Sequence, residues 1–361
     1  MSGRFSRSWP SLVLVFLAVV SLLAVAGLMS GCGDDPETLK AKGAALHPAA
    51  NGLGLYGFID SSGEYQIEPR YQYVGDFSEG LAPAQMLTAW GYIDLEGKWA
   101  IDPAFAVAYP FSDGLALVIL ADGNAGYVDG EGEMVIGPGA AYSEPFSEGL
   151  APIYDDATSK FGYMNTGGKT VIDPQFDDAQ GFSEGLAVVG MVKDGKAKYG
   201  AIDTKGAWVV QPEYDTVLAF SEGLAAVRVG DQWGFIDVTG AVVLEPQYES
   251  VDSVHEGLAP AGKDGRYGFI DKTGAMVLEP RFAWTYRFSE GLAVVSVKGD
   301  DGMEKYGYID KSGTVVIEPQ FEQAARFSDG LAWVLLAPQS EDGSSVQAYI
   351  DHSGSVVWKS E

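Results

Sequence analysis

The sequence predicts an all-β repeat protein, folded as a propeller-like ring of small antiparallel blades. Eight times, an aromatic-Gly pair or its remnant is followed by an acidic-Gly-Leu-Ala tetrad, and the two glycines are always 23 residues apart. A proline stands 12 residues after the first glycine, from Pro69 to Pro319. Repeats of about 35 residues that cannot bury a face alone must stack or close on themselves. An open β-solenoid or superhelix of β-hairpin repeats is the alternative architecture.

Two glycines define each copy. The first are Gly57, Gly91, Gly126, Gly162, Gly200, Gly234, Gly268 and Gly307, and the second are Gly80, Gly114, Gly149, Gly185, Gly223, Gly257, Gly291 and Gly330. Only the stretch from the second glycine to the next copy varies in length, from 11 to 18 residues. One rigid unit is therefore repeated, with a single loop free to change.

Residues 1–31 predict a signal peptide that is not part of the fold. Arg4 and Arg7 give a positive start, residues 12–28 are almost wholly apolar, and small residues precede Cys32, which is the layout of a secretory signal. The ending resembles the lipobox of bacterial lipoproteins, whose cysteine is acylated and becomes the new N-terminus. An uncleaved membrane helix is the alternative, because about 17 apolar residues are just long enough to span a bilayer.

Cys32 is the only cysteine in the 361-residue chain. An exported chain with one cysteine cannot form an internal disulfide, and a role in lipid attachment explains why the residue is present. Gly33 follows it, where an aspartate often directs retention in the inner membrane. We therefore expect a membrane-anchored lipoprotein of the bacterial cell envelope that faces away from the cytoplasm, in the outer membrane where the cell has one.

The formal net charge of the chain is −27. Such a surface repels phosphate backbones and anionic headgroups, so nucleic acid is excluded as a partner. Residues 32–52 include Asp34, Asp35 and a run rich in Ala, Gly and Pro, which predicts a flexible tether. Residues 53–361 then form the repeat domain, with eight full copies and a terminal partial copy.

One copy shows the strands. Residues 258–261 begin one strand, residues 267–270 form a second, and residues 276–278 form a third that ends at Pro280. Their β-branched and aromatic content favours strands over helices. Three antiparallel strands leave the chain at the wrong end for the next copy. The segment 249–256 must therefore run the full height, as a short fourth edge strand or as a helical crossover.

Two kinds of periodic residue receive structural interpretations. The Asp-x-x-Gly sequences, such as 271–274, match type I turns, in which the carboxylate accepts a nearby backbone N–H. Three aromatic columns predict the core between repeats, since each ring buries roughly 150–250 Å². The columns lie before the first glycine, as in Trp233, two residues after the proline, as in Tyr248, and before the acidic-Gly pair, as in Phe220.

The pattern resembles the WG-repeat family. Trp90-Gly91 and Trp233-Gly234 match the Trp-Gly pair, Tyr or Phe replaces Trp in most other copies, and Gly-Tyr/Phe-Ile-Asp and Phe-Ser-Glu-Gly-Leu-Ala follow. The resemblance covers residues 53–358. It implies an all-β repeat fold found in many bacterial surface and secreted proteins, with no fixed activity and no shared catalytic residue.

The ends of the array and copy three depart from the pattern. Ala125 replaces the aromatic residue of copy three, and Gly137 and Ala140 flank its proline, so this junction should be the weakest. The first copy is expected to lack its leading strand, and Ala348 stands where the terminal copy should carry glycine.

No catalytic constellation is evident. His47, His255 and His352 are the only histidines, they share no metal-ligand spacing, and no phosphate-binding or dinucleotide motif occurs. We expect no catalytic residue, cofactor or metal. A pair of carboxylates remains open, so the alternative function is a carbohydrate-active enzyme of the envelope.

The acidic residues of the acidic-Gly pairs form a column of their own, from Glu79 to Asp329. In a ring they would make a circle of like charges, which could bind cations or amines. The structural interpretation is a solvated turn followed by a left-handed glycine.

The expected function is that of a surface-tethered binding or scaffolding protein. Partner contacts are placed on the variable loops, because length variation marks the part that the fold does not constrain. These loops are residues 154–160, 192–198, 298–305 and 338–347. The candidate partner-binding residues are Lys160, Lys193, Lys196, Lys198, Lys298 and Lys305. An unknown envelope protein or glycan is the expected partner.

Overall fold

A computed structural model describes residues 45–140, 144–299, 302–337 and 345–360. The predicted signal peptide, Cys32 and tether residues 32–44 lie outside the described residues. The described part of the chain contains 34 strands and no helix. The strands form nine small antiparallel sheets, one for each blade.

The strands follow the chain blade by blade. Blades 1 to 3 contain β1 (His47–Ala50), β2 (Tyr56–Ile59) and β3 (Tyr65–Tyr71); β4 (Tyr73–Val74), β5 (Ala82–Met86), β6 (Ala89–Ile93) and β7 (Trp99–Phe105); and β8 (Val107–Ser112), β9 (Leu115–Ile119), β10 (Ala125–Val128) and β11 (Met134–Ala140). Blades 4 to 6 contain β12 (Leu150–Asp155), β13 (Lys160–Asn165) and β14 (Thr170–Phe176); β15 (Asp178–Ser183), β16 (Leu186–Lys193), β17 (Lys196–Asp203) and β18 (Trp208–Tyr214); and β19 (Thr216–Val217), β20 (Leu224–Val229), β21 (Gln232–Asp237) and β22 (Val242–Tyr248). Blades 7 to 9 contain β23 (Ser250–Val251), β24 (Leu258–Lys263), β25 (Arg266–Asp271) and β26 (Met276–Phe282); β27 (Trp284–Thr285), β28 (Leu292–Lys298), β29 (Glu304–Asp310) and β30 (Val315–Phe321); and β31 (Gln323–Ala324), β32 (Ala332–Leu336), β33 (Val346–Ile350) and β34 (Val356–Lys359).

A full blade is a four-stranded meander in which sequence neighbours pair, as in the order β23-β24-β25-β26. The predicted fourth segment is thus a strand, for example β23, and not a helical crossover. The last strand of a blade alternates buried with exposed residues, as in β18, so it is the outer strand. The short first strand is therefore the inner one and borders the central channel of the propeller.

Blades 1 and 9 close the ring. The Tyr349 hydroxyl donates a hydrogen bond to the Pro48 carbonyl at 2.9 Å, and the rings of Tyr65 and Trp358 meet edge to face with their centroids 6.3 Å apart. Ala49 is buried in the same cluster as Tyr349 and Trp358. The predicted ring of blades is confirmed, and the open solenoid is not what the chain adopts.

The tether boundary was wrong, because β1 lies inside the segment predicted to be flexible. Residues 47–50 pair with β2 in regular antiparallel register, and Ala49 is 1% exposed. The first copy therefore has its leading strand, and it is the short inner strand that is absent from the described part of blade 1. The sequence signal was present, since Leu46, Pro48 and Ala49 repeat the Leu-x-Pro-Ala of residues 81–84.

The core lies between blades and consists largely of the aromatic columns. Phe220 and Tyr214, from the two columns on either side of the inner strand, are 1% and 7% exposed. The column before the first glycine is only partly buried, as Trp233 shows. The ring after that glycine, such as Phe235, is completely buried instead. The expected third column is thus replaced in the core by the aromatic residue two positions later.

The first glycine of a copy is required by a close approach of two strands. A Cβ atom on Gly234 would lie 2.2 Å from the Leu244 carbonyl oxygen, a distance that no side chain tolerates. The register between β21 and β22 shifts around this point. The backbone of the outer strand therefore crosses directly over the glycine. This explains why glycine recurs after the aromatic position in every full copy.

Candidate functional site

The acidic-Gly turns are tight hairpins at one end of the blades. Ser221 and Leu224 exchange both backbone hydrogen bonds, at 2.8 and 3.1 Å. Glu222 and Gly223 between them both have positive φ, 52° and 86°. This is the two-residue type I′ turn, which suits the twist of antiparallel strands. The predicted left-handed glycine is found, and the acidic residue before it is left-handed as well.

In seven of the eight described turns, the carboxylate is also held by the next blade. Glu184 accepts the backbone N–H of Gly223 at 2.8 Å, and Glu222 accepts that of Gly257 at 3.0 Å. The same bond joins Glu79 to Gly114, Asp113 to Gly149, Glu148 to Gly185, Glu256 to Gly291 and Glu290 to Gly330. The acidic column is therefore an interblade clasp, which explains its recurrence without a ligand.

Two of the clasps contact a lysine in addition, and a third contacts a histidine. Lys272 lies 3.1 Å from Glu222, and Lys311 lies 2.9 Å from Glu256. His352 lies 3.1 Å from Glu290 and stacks on Phe327, with ring centroids 4.3 Å apart. Within the described ranges, no group of three or more His, Cys, Asp or Glu residues is arranged to hold a metal ion.

The four long loops open at the opposite end of the ring from the clasps. Each joins the second to the third strand of a four-stranded blade, or the first two strands described in blade 4: β12 to β13, β16 to β17, β28 to β29 and β32 to β33. Because these connections are equivalent in their blades, the loops share one face, which we call the loop face. Residues 300–301 and 338–344 of these loops lie outside the described residues.

Two of the six candidate lysines serve the fold. The Lys160 ammonium lies 2.6 Å from the Asp177 carboxylate, and the Lys198 ammonium lies 2.7 Å from that of Asp215. Asp177 also accepts the backbone N–H of Val192, and Asp215 accepts that of Gly230. The hydrogen bonds from the two lysines lower the pKa of both carboxyls.

The other four candidate lysines remain available. Lys193, Lys196 and Lys298 are exposed, and Lys305 is half-buried. None of their ammonium groups makes a hydrogen bond or ion pair with another described residue. The loop face therefore carries four lysines that no other described residue pairs with.

A groove on blade 5 adjoins two of the lysines. It has a volume of about 410 Å³ and is lined by Met191, Val192, Lys193, Lys198, Trp208, Gln211 and Pro212. Val192 is 52% exposed, and the Trp208 ring is held edge-on against Phe176 at 5.7 Å. An aromatic wall with the Lys193 ammonium group at its rim can bind an apolar group that carries negative charge.

The three histidines lie in separate places. His47 is 7% exposed, and its Nε2 atom has no hydrogen-bond partner within the described residues. His255 replaces the serine of the clasp turn and lies near the channel. Burial, together with Arg287 and Arg326, lowers the pKa of His255 to about 4. These two arginines border the channel and have no counterpart among the sites predicted from the sequence.

A family described as WG containing repeat matches seven segments of the chain: residues 56–86, 90–122, 161–196, 199–233, 233–267, 267–299 and 306–336. These segments cover more than half of the chain. The match therefore confirms the resemblance that the sequence motifs indicated. No curated protein matches the sequence.

The solved structures to which the chain is similar share little sequence with it. A crystal structure of a eukaryotic initiation factor is 12% identical with a TM-score of 0.62, over 89% of this chain and 96% of that one. BamB from Moraxella catarrhalis is 14% identical with a TM-score of 0.42, over 76% and 91%. The WD40 β-propeller domain of Doa1 is 13% identical with a TM-score of 0.33, over 69% and 93%. The first of these similarities supports the propeller fold and nothing further.

Proposed function

The chain belongs to the WG-containing repeat family, and on that basis we propose that it is a surface-tethered binding or scaffolding protein of the bacterial cell envelope. A repeat β-propeller presents loops on a rigid frame, which favours binding rather than chemistry. The observation that carries the proposal is the position of the four long loops, all on one face. A partner would bind to these loops.

The charge of the loop face indicates the chemistry of the partner. The chain as a whole is strongly acidic, yet Lys193, Lys196, Lys298 and Lys305 have no acidic partner among the described residues. An acidic glycan or an acidic protein segment fits such a face. The groove beside Trp208 adds an apolar contact next to Lys193, where a ring could stack.

The tether supports a location in the envelope. Residues 1–31 have the layout of a signal peptide, and the lone cysteine stands where lipid attachment is expected. Strand β1 begins 15 residues after Cys32. An anchor at Cys32 would thus tether the propeller to the bilayer through this segment.

The test compares charge removal at the two ends of the ring, in blades 4 and 5. Lys193→Gln with Lys196→Gln removes two charges from the loop face, and Lys169→Gln with Lys205→Gln removes two from the opposite end. All four lysines are exposed. Titrations with polyglutamate and with alginate should weaken at least tenfold in the first double variant, about 1.4 kcal/mol.

The control variant should bind like the original protein. Equal weakening in both double variants would mean that net charge, and not the loop face, governs binding. Undiminished binding in the Lys193 and Lys196 variant would overturn the choice of face.

A further inference from the structure

The groove on blade 5 departs from the repeat at one position, the residue directly before the proline. In the groove this residue is Gln211, whose side chain is exposed, and copy three has Gly137 there. In the six other copies the residue is acidic: Glu68, Asp102, Asp173, Glu245, Glu279 and Glu318. None of the described residues that line the groove is acidic, in a chain with 50 acidic and 23 basic residues. The groove therefore lacks the negative charge that most blades carry at this position.

The hairpin of β16 and β17 supplies a positive charge to the groove. The two strands have eight residues each and are the longest in the described part of the chain. Their pairing continues to Lys193 and Lys196, past Tyr199, where β17 pairs with the end of the outer strand. Lys193 is exposed and bonds to no other described residue, whereas Lys198 is paired with Asp215. One ammonium group is therefore available at the rim.

Trp208 gives the groove a rigid, flat wall. Its ring is half-buried and meets the buried Phe176 ring of blade 4 edge to face, with the centroids 5.7 Å apart. Met191 packs against the same core cluster, and Pro212 adds a second rigid ring to the lining. Because the packing already fixes the indole, a ligand that stacks on it does not have to order that side chain. The groove thus combines a fixed apolar surface with one free charge.

We propose that this groove binds a uronate residue of an acidic glycan, which is a sugar ring that carries a carboxylate. The inference rests on the proposed binding function of the loop face and names the ligand that one part of that face takes. The apolar C–H face of the sugar would stack on the Trp208 ring. Its carboxylate would pair with the Lys193 ammonium group. The Gln211 amide, which can both donate and accept, would hydrogen-bond to a sugar hydroxyl.

An acidic peptide fits the groove less well than an acidic sugar. Aspartate and glutamate carry their carboxylates on flexible side chains, which lose rotamer freedom on binding, and they offer no rigid apolar face to Trp208. A uronate brings an apolar face and a charge together in one ring. The groove volume of about 410 Å³ lies at the lower end of the range for small-ligand sites, which suits a short segment of sugar.

Calorimetric titrations with trigalacturonate, its methyl ester and triglutamate test the groove. Gln211→Glu restores the acidic residue of six other copies on an exposed side chain, so the fold should be kept while trigalacturonate binds at least tenfold more weakly. The neutral methyl ester should bind more weakly than the acid and should not respond to this variant. Gln320→Glu adds the same charge at an exposed position of blade 8 and should leave binding unchanged.

Trp208→Met tests the stacking wall with the residue that blade 7 has at this position, Met276. Trigalacturonate should again bind at least tenfold more weakly. Trp99 stands at the same position of blade 2 and meets Tyr71 edge to face, with the centroids 5.5 Å apart. Trp99→Met is therefore the matched control for the loss of an interblade ring, and it should bind like the original protein. If Trp208→Met does not fold, Gln211→Glu alone decides.

The outcomes separate this inference from the proposed function. If trigalacturonate binding depends on Lys193 and Lys196 but not on Gln211 or Trp208, the loop face binds its partner and the groove is not the site. Tighter binding of triglutamate that responds to the groove variants would assign the groove to an acidic peptide and overturn the uronate. If no acidic ligand responds to the lysine variants either, the proposed function is contradicted together with the groove.

Discussion

The carboxylate of Glu222 accepts the backbone N–H of Gly257 from the next blade at 3.0 Å, and it also accepts the N–H of Glu256. One acidic side chain thus satisfies two backbone donors of a turn 35 residues further along the chain. Lys272 balances its charge at 3.1 Å. The bond from carboxylate to glycine recurs at six other turns, so these clasps tie most inner hairpins to the next blade.

Glu222→Ala should destabilise the ring at the junction of blades 6 and 7. Hydrogen bonds to a charged group contribute about 1.5–3 kcal/mol, and we expect a loss near the lower value because a third of the side chain is exposed. Hydrogen exchange should show the loss of protection around Gly257. Glu249→Ala removes a carboxylate that accepts the N–H groups of Asp264 and Gly265 at the other end of the ring, so it should leave Gly257 protected.

Gly234→Ala should be severe, because the added Cβ would lie 2.2 Å from the Leu244 carbonyl. The strands of blade 6 would have to separate, which we expect to cost about 3 kcal/mol or more. Gly137→Ala is the matched control, since no atom lies within 4 Å of its Cβ position. Urea midpoints of the two variants give the comparison. Similar midpoints would show that the strands adjust freely.

Phe220→Ala should cost about 3–5 kcal/mol, as for a buried ring removed from a core. Phe220 is 1% exposed and packs with residues of blades 5 and 6. Because repeats stabilise mainly their neighbours, exchange protection should fall most in these two blades. A change within about 0.5 kcal/mol would mean that the ring contributes nothing to the interblade core.

His255 should make the protein less stable in mild acid. Burial, with Arg287 and Arg326, lowers its pKa from 6.5 to about 4 in the folded state, while Asp252 and Glu222 oppose the shift. As the pH falls from 6.5 toward 4, the imidazole of His255 becomes protonated in the unfolded chain but stays neutral in the folded chain. The free energy of unfolding therefore falls by about 1–3 kcal/mol. Above pH 6.5 this contribution is fully present.

His255→Ser restores the residue found at this position in the other copies and should remove that part of the pH dependence. The measurement is the difference between the two proteins in urea midpoint at neutral pH and in mild acid. Because carboxylates titrate equally in both proteins, their effect cancels in the difference. A difference that does not change with pH would contradict the lowered pKa.

Cys32→Ala should abolish lipid labelling and signal-peptidase processing, because acylation of this cysteine precedes cleavage in lipoproteins with the motif that the sequence resembles. Membrane fractionation of the variant provides the measurement. Efficient cleavage and membrane attachment without the thiol would show that residues 1–31 anchor the chain in another way. Ser30→Ala, which keeps a small residue before Cys32, should still be labelled.

Local repetition was enough to predict the blade. Positions such as Gly234, Pro246 and Phe220 recur because the same steric constraint applies in every copy. The pattern is clear within a single sequence because the unit occurs eight times. The strand content, the turns and the variable loops follow from that. The tether boundary at residue 52 was wrong because the first copy begins with an incomplete motif, in which His47 stands where the other copies have alanine.

The tertiary structure decided what depends on neighbouring blades. Closure into nine blades rests on contacts such as that of Tyr349 with Pro48, 301 residues apart, and no local pattern encodes such a distance. The ion pair of Lys198 with Asp215 identifies Lys198 as a structural lysine. In the sequence it looks the same as the lysines that remain available. Arg287 and Arg326 come together because the ring repeats one channel position in adjacent blades, 39 residues apart in the chain. Sequence determined the unit, since its causes are local and steric, and only the closed ring determined which charges meet.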